Sequence, residues 1–234
     1  MNIADLENKI INADCMDILK ELPDKSVDLV LTDPPYDLET HGGTKPPLAQ
    51  RAAKVRDSIE FIANDFDFGN VAEECSRIGK NIVMFCSNAQ ISRTMDFFNQ
   101  KGFRATLCVW DKPNPPPLGN NKLVNNLEYI VVARGEKSFF NNSLPIEKKR
   151  MSFNYPTPAN KQHPAEKPVS LFCDLINLYS EEGGIVLDCF SGSGTTAIAC
   201  HRLKRRFICI EKDPEYWAAS VKRLEDEQRQ GMLF

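Results

Sequence analysis

The sequence lacks three features that mark large classes of protein: CxxC pairs, long apolar runs and a strong net charge. Without CxxC pairs, its eight cysteines are predicted to be buried free thiols, and no metal site is expected. Without an apolar run of bilayer length, no membrane span is expected. A net charge of -3 disfavours a protein that coats nucleic acid through its overall charge, but it leaves local basic patches open.

The first residues, Met1 and then Asn-Ile-Ala-Asp-Leu-Glu, have neither the basic start nor the apolar core of an export signal. We therefore expect a cytoplasmic protein. The length of 234 residues suits one α/β domain with an insertion, and neither a linker nor a repeat divides the chain. A single domain over residues 1–234 is the prediction.

Short apolar runs rich in Val, Ile and Phe alternate with amphipathic stretches, which is typical of a mostly parallel sheet with helices on both faces. Seven strands are predicted, at Lys9–Ala13, Val27–Thr32, Asn81–Cys86, Ala105–Trp110, Glu128–Ala133, Ile185–Cys189 and Arg206–Ile210. Six helices are predicted, at Met16–Glu21, Asn70–Ile78, Ala89–Asn99, Val169–Ser180, Thr195–Leu203 and Pro214–Gln230.

Two segments interrupt this alternation. Residues 37–60 are predicted to form a mobile loop or insertion, and its basic side chains are Lys45, Arg51, Lys54 and Arg56. Residues 112–167 are rich in Pro and Asn and are predicted to form a second small insertion, with the basic run Lys148, Lys149 and Arg150 in its middle.

A Gly-punctuated turn between a strand and a helix predicts a nucleotide site. In Asp188-Cys-Phe-Ser-Gly-Ser-Gly194, Gly192 and Gly194 allow a sharp turn and close approach of a ligand, and the following helix start offers free amide donors. The next strand ends in Glu211, placed to accept from ribose hydroxyls. Gly192-x-Gly194-x-x-Ala197 also fits a dinucleotide fingerprint, so a nicotinamide-dependent oxidoreductase stays open at this point.

The tetrapeptide Asp33-Pro34-Pro35-Tyr36 follows an apolar strand and favours a particular chemistry. The prolines stiffen the turn, Tyr36 offers a flat face for stacking, and Asp33 and the Pro34 carbonyl are two acceptors. An exocyclic amino group has two N–H donors and a delocalised lone pair. Two acceptors that hold both hydrogens would orient that nitrogen toward a methyl donor, without a covalent enzyme intermediate. A base in a duplex must be flipped out to reach such a site.

These residues resemble the amino-methyltransferases of DNA that carry a DPPY motif. Because the glycine motif comes after DPPY, the order is similar to that of the permuted β class. The resemblance implies a Rossmann-like methyltransferase fold and S-adenosylmethionine as cofactor. It implies cofactor contacts from Asp14, Cys15, Asp33, Lys167, Asp188, Phe190, Ser191, Gly192, Ser193, Gly194, Thr195 and Glu211, with Lys167 facing the cofactor carboxylate. His163 belongs to the segment that precedes the glycine motif.

In the family that this sequence resembles, Asp at the first position of the motif is more typical of enzymes that methylate adenine N6, and Ser of enzymes that methylate cytosine N4. Asp33-Pro34-Pro35-Tyr36 therefore favours adenine N6, and cytosine N4 is the alternative. Cytosine C5 chemistry needs a thiolate, usually from a Pro-Cys dipeptide, and none of the cysteines follows a proline. DNA is the expected partner, with residues 112–167 as its recognition region. The expected phosphate contacts are Lys45, Arg51, Lys54, Arg56, Lys148, Lys149 and Arg150.

Other functions and partners remain possible on the sequence alone. A non-catalytic nucleic-acid binder is disfavoured because both motifs are intact, whereas a methyltransferase of RNA or of protein glutamine stays open. A homodimer is expected from the family. The carboxyl tail Gln230–Phe234 resembles the short peptide that docks on bacterial sliding clamps, and packing of Leu233 and Phe234 on the protein itself is the alternative.

Overall fold

A single sheet of eight strands forms the centre of the computed structural model, which describes residues 2–35, 67–115, 123–159, 163 and 165–231. The strands are β1 (Lys9–Asn12), β2 (Val27–Thr32), β3 (Gly79–Cys86), β4 (Arg104–Asp111), β5 (Leu127–Arg134), β6 (Ser152–Asn154), β7 (Ile185–Asp188) and β8 (Arg206–Glu211). Their order is β1-β8-β7-β2-β3-β5-β4-β6. Only β5 runs antiparallel to its neighbours, so the prediction of a mostly parallel sheet is confirmed.

The predicted number of strands is wrong, because β6 was not expected. This three-residue strand pairs in parallel with β4, and only Phe153 among its side chains is buried. A strand with one buried side chain produces no periodic pattern in the sequence. It lies inside residues 112–167, so part of that predicted recognition region extends the central sheet instead of standing apart from it.

Within the described residues, six α-helices cover the two faces of the sheet. They are α1 (Cys15–Leu19), α2 (Phe68–Ile78), α3 (Ile91–Gln100), α4 (Val169–Tyr179), α5 (Thr195–Arg202) and α6 (Pro214–Gly231). Short 3-10 helices occupy Ile3–Asp5, Asn88–Gln90 and Ile146–Lys149. No helix in the described ranges has the length and apolar character needed to cross a bilayer.

The alternation of side chains along β2 shows how the two faces are filled. Leu29 and Leu31 point into the cluster that contains Leu171 of α4, whereas Val30 points into the cluster that contains Val71 of α2. Both faces are therefore buried, which explains the nearly continuous apolar runs of the central strands. All eight cysteines lie in the described ranges and are free, and seven of them are buried, so the free-thiol prediction is confirmed.

All eight strands of the sheet have one end at the same edge. Seven of them run parallel and end there, and antiparallel β5 begins there, with Tyr129 opposite Cys86. Asp14, Glu211, Asp188, Asp33 and Glu128 all lie at or just beyond these strand ends. We call this edge the carboxyl edge.

Candidate active site

The turn between β7 and α5 is built for glycine at two positions. Gly192 and Gly194 have φ of 49° and 75°, in the left-handed region that side chains disfavour. A Cβ on Gly194 would lie 3.0 Å from Cβ of Ser220 on α6, and a Cβ on Gly192 would lie 3.4 Å from Nδ1 of His163. The predicted Gly-rich turn is thus present, and neighbouring residues pack directly against its backbone.

Asp188 holds this turn from inside the protein. One carboxylate oxygen accepts from Thr32 Oγ1 and from Phe190 N, each at 3.1 Å, and the other accepts from the hydroxyl of Thr196. Burial raises the pKa of Asp188 to about 6, although these hydrogen bonds oppose that effect. Because Thr32 belongs to β2, the carboxylate also joins the glycine turn to the strand that carries Asp33.

Two further predicted cofactor residues lie at the ends of neighbouring strands: Glu211 is the last residue of β8, and Asp14 follows β1. Glu211 accepts from Gly192 N at 2.7 Å and from Asp213 N at 2.8 Å, and burial raises its pKa. Asp14 caps α1 by accepting from Met16 N at 3.0 Å. Burial alone would raise the pKa of Asp14, but Lys212, 3.0 Å away, and the hydrogen bond from Met16 N together lower it. Cys15 follows Asp14 and is buried, and burial raises its pKa to about 12, so it stays a neutral thiol.

Asp33 takes part in a buried ion network. Lys167 Nζ bonds Asp33 Oδ2 and lies 3.1 Å from Glu128 Oε2, and Lys112 Nζ lies 3.2 Å from Glu128 Oε1. The Lys167 side chain is only 6% exposed, and its ammonium also lies 5.2 Å from the centroid of the Phe85 ring. We call Asp33, Lys167, Glu128 and Lys112 the lysine–carboxylate network.

The charges of this network balance one another. Burial would lower the pKa of Lys167, but Asp33 and Glu128 outweigh it, so the net pKa is raised. Burial would raise the pKa of Glu128, but Lys167 and Lys112 outweigh it, so that pKa is lowered. Glu128 and Lys167 are therefore held in their charged forms.

Glu128 and Lys112 belong to the site but were not predicted from the sequence. Glu128 was predicted only as the first residue of a strand, and Lys112 only as the first residue of the segment 112–167. A carboxylate at the beginning of an apolar strand is the signal that could have pointed to Glu128. Lys167 was predicted to face the cofactor carboxylate, whereas the structure places its ammonium on Asp33.

The segment around Lys167 packs across the glycine turn. The His163 ring lies against Gly192 and meets the Tyr216 ring edge to face, with centroids 4.3 Å apart. Glu166 pairs with Arg223 of α6 at 2.9 Å, and Arg223 donates to the Ser193 carbonyl at 2.9 Å. These contacts join α6, the glycine turn and the Lys167 segment into one wall of the site.

The two predicted motifs meet at the carboxyl edge. Val30 of β2 pairs with Leu187 of β7, so the strands leading to Asp33 and to the glycine turn are direct neighbours. Pro34 is buried and Pro35 is half-buried. Phe190, Ser191, Ser193 and Thr195 lie in the turn or at the start of α5, as predicted.

The predicted DNA contacts are not all brought together. Lys148 lies 3.0 Å from Asp174 and Lys149 donates to the Asn142 carbonyl at 3.1 Å, both away from Asp33. Tyr36, the insertion 37–60 with its four basic residues, and residues 232–234 of the tail lie outside the described ranges.

Comparison with known proteins agrees with this geometry. A protein-family model described as DNA methylase matches residues 27–222. Type II methyltransferase M.HinfI of Haemophilus influenzae is 26% identical over 96% of this chain and 70% of that protein. Type II methyltransferase M2.MboI of Moraxella bovis is 28% identical over 93% of this chain and 87% of that protein.

Solved structures show the same architecture. The crystal structure of the M1.HpyAVI–SAM complex has a TM-score of 0.71 and 29% identity, over 92% of this chain and 99% of that chain. The cytosine-N4-specific PvuII DNA methyltransferase has a TM-score of 0.67 at 18% identity, over 95% of this chain and 91% of that chain, and shows the shared fold alone. The methyltransferase fold predicted from the sequence is confirmed, and by sequence and by structure the chain belongs to the DNA methylase family.

Proposed function

We propose that the protein methylates N6 of a flipped adenine in DNA, with S-adenosylmethionine as the methyl donor. The observation that supports this proposal best is the position of Asp33. Its carboxylate stands at the carboxyl edge next to the glycine turn and is held there by Lys167. Relatives named type II methyltransferases, and a relative solved with S-adenosylmethionine, support the same reaction.

The residues at the carboxyl edge fit S-adenosylmethionine. When bound, this cofactor supplies a methyl group on a positively charged sulfonium. Asp14 and Glu211 place carboxylates at the ends of the neighbouring strands β1 and β8, and carboxylates suit a cation and the hydroxyls of a ribose. Gly192 and Gly194 have no side chains, which lets the turn pack tightly against His163 and Ser220. We assign the cofactor to this turn, to Glu211 and to Asp14.

The base is held by the DPPY segment in this proposal. Asp33 and the carbonyl of Pro34 accept the two amino hydrogens, and that orients the nitrogen lone pair. The methylated nitrogen must release one proton, and in this proposal the carboxylate of Asp33 accepts it. Lys167 bonds that carboxylate and fixes its direction, and Tyr36 supplies the stacking face for the flipped base.

The remaining predictions concern location and partners. We propose DNA as substrate, with phosphate contacts from the basic insertion and from Lys149 and Arg150, and a cytoplasmic location. Homodimer formation and clamp binding through Gln230–Phe234 stay predictions, and deletion of 230–234 followed by a clamp pulldown tests the second.

Nucleoside analysis of methylated DNA tests the reaction. Purified protein with labelled S-adenosylmethionine and methylation-free DNA should yield N6-methyldeoxyadenosine. Asp33→Asn should reduce the rate by at least about 100-fold, whereas Asp96→Asn, on the exposed side of α3, should retain the activity. N4-methyldeoxycytidine as the product would refute the adenine proposal, and undiminished activity of Asp33→Asn would refute the role of Asp33.

A further inference from the structure

A second concave site lies far from Asp33, on the α4 face of the sheet. It is a cavity of about 190 Å³ formed by the beginning of β4, the end of β5, the end of α4 and residues 149–151. Its described lining includes four basic side chains: Arg104, Arg134, Lys149 and Arg150. We call it the arginine cavity.

The charged side chains that line the arginine cavity are all basic. No carboxylate occurs among the described residues that line it, and Thr106 and Tyr179 contribute hydroxyl groups beside the four basic side chains. Burial raises the pKa of Tyr179, so its hydroxyl is a neutral donor. Four cations and two hydroxyls around one small space form a site for an anion.

The arginines of this cavity differ from other arginines of the chain in their partners. Six arginines elsewhere donate to a carboxylate or a carbonyl: Arg77, Arg202, Arg205, Arg206, Arg223 and Arg229. Within the described ranges, the side chains of Arg104, Arg134 and Arg150 have no hydrogen bond or ion pair. Nε of Arg134 is buried without a partner, which is unfavourable for a donor. These three arginine side chains therefore line one cavity with guanidinium donors still available for an anion.

The guanidinium of Arg134 is also held in place. Its carbon lies 4.5 Å from the centroid of the Phe140 ring, and that ring packs against Tyr179 with centroids 5.9 Å apart. Arg104 pairs with Arg134 in the β4–β5 register, so two like charges face each other across neighbouring strands. Such a pair is unfavourable unless an anion lies between the charges.

The size of the cavity limits its ligand. A volume of 190 Å³ is roughly six times the share of one water molecule in the liquid, and smaller than the ~300–1,000 Å³ of pockets that enclose drug-sized ligands. A single phosphate group fits this volume. Arginine forks also match the geometry of phosphate oxygens.

We propose that the arginine cavity binds a phosphate group, with the backbone of the DNA substrate as its source. Arg104 lies at the opposite end of β4 from Asp111, which adjoins the carboxyl edge. Seven residues of strand span roughly 23 Å, equivalent to roughly seven nucleotides of rise along one strand. The contacted phosphate therefore lies outside the nucleotides next to the target base. The DNA source depends on the DNA methylase assignment, whereas phosphate binding itself does not.

DNA binding without cofactor tests this proposal separately from the methylation chemistry. Affinities of wild type, Arg134→Gln and Arg104→Gln are measured against salt for a 30-base-pair and an 8-base-pair duplex. Each variant should lose roughly tenfold in affinity for the long duplex, and the slope of log K against log salt should fall by about 0.9. The short duplex should show neither change. Arg134→Lys, which keeps the charge, should recover part of the affinity.

Two controls keep the outcomes distinct. Lys101→Gln removes the same charge on the opposite face of the sheet, where Lys101 pairs with Glu73 at 2.7 Å, and its DNA affinity should equal that of wild type. Arg104 is exposed, so its variant tests the site even where Arg134→Gln fails to fold. Titration with inorganic phosphate forms the third arm. If the arginine variants lose phosphate binding but keep the salt dependence of DNA binding, the DNA backbone is not the source of the bound phosphate. If neither measurement changes in the variants, the cavity is not a phosphate site.

Discussion

Replacing Lys167 by methionine removes the central charge of the lysine–carboxylate network while conserving most of its volume. The ammonium bonds Asp33 and lies 3.1 Å from Glu128. At an effective dielectric constant of about 20, one charge pair at that distance contributes about 5 kcal/mol of attraction. Burial of the ammonium opposes this by several kcal/mol. Loss of Lys167 leaves two buried carboxylates against Lys112 alone, and removing one partner of a buried pair costs about 3–5 kcal/mol of unfolding free energy.

The pH dependence of this loss has a definite sign. The lowered pKa of Glu128 means that its stabilising contribution is present above its usual value of 4.5 and is lost as the pH falls through the folded pKa. The raised pKa of Lys167 means that its contribution is present below 10.5 and is lost as the pH rises through the folded pKa. The difference between wild type and Lys167→Met should therefore be largest near neutral pH and shrink on acidification, when the carboxylates of the variant take up protons.

Urea unfolding between pH 4.5 and 8 measures this difference. Lys80→Met is the control, because Lys80 forms an exposed pair with Asp28 at 2.8 Å and should cost at most about 1 kcal/mol. The methylation rate of Lys167→Met should also fall, with most of the loss in kcat, because Asp33 loses its fixed direction. A loss of stability below 1 kcal/mol, or one that stays constant across the pH range, would refute the electrostatic account of the network.

Further substitutions test the glycine turn and its supports. Gly194→Ala should lose more stability than Gly183→Ala in thermal unfolding, because both have φ of 75° but only the first meets a neighbour, at 3.0 Å; equal losses would contradict the contact with Ser220. Asp188 has a raised pKa, so its ionisation costs folded-state stability as the pH rises from 3.8 through about 6. The free energy of unfolding of Asp188→Asn, measured by urea titration, should therefore rise relative to that of wild type as the pH increases over that range. A difference in unfolding free energy that does not change with pH would show that Asp188 does not ionise as described. Glu211→Gln, which keeps only one acceptor for Gly192 N and Asp213 N, should weaken S-adenosylmethionine binding about tenfold in calorimetry.

Local patterns predicted most of the fold. Strand β2 was expected with its observed ends, and α2, α4, α5 and α6 begin or end within two residues of their predicted bounds. These elements bury long apolar faces, so the hydrophobic periodicity and the flanking turn residues in the sequence both indicate the same bounds. Strand β6 was not predicted, because its three residues form a strand only through pairing with β4, and the local sequence does not encode that tertiary contact.

The candidate site was predictable only in part for a similar reason. The glycine turn and Asp33-Pro34-Pro35-Tyr36 are local motifs, so both were found, and the resemblance placed them in one family. The partner of Asp33 lies 134 residues away at Lys167, and Glu128 joins from a third segment. Spacing along the chain does not encode such pairs, because sheet topology alone brings their segments together.

The position of β2 between β7 and β3 has a consequence for biosynthesis. Because β7 begins at Ile185, a ribosome must synthesise the chain as far as this residue before β2 (Val27–Thr32) can pair with its second neighbouring strand. Until then, one edge of β2 has unpaired backbone groups that can pair with another molecule. Nascent or truncated products that stop before Ile185 should consequently depend on chaperones and aggregate readily, although they already contain Asp33.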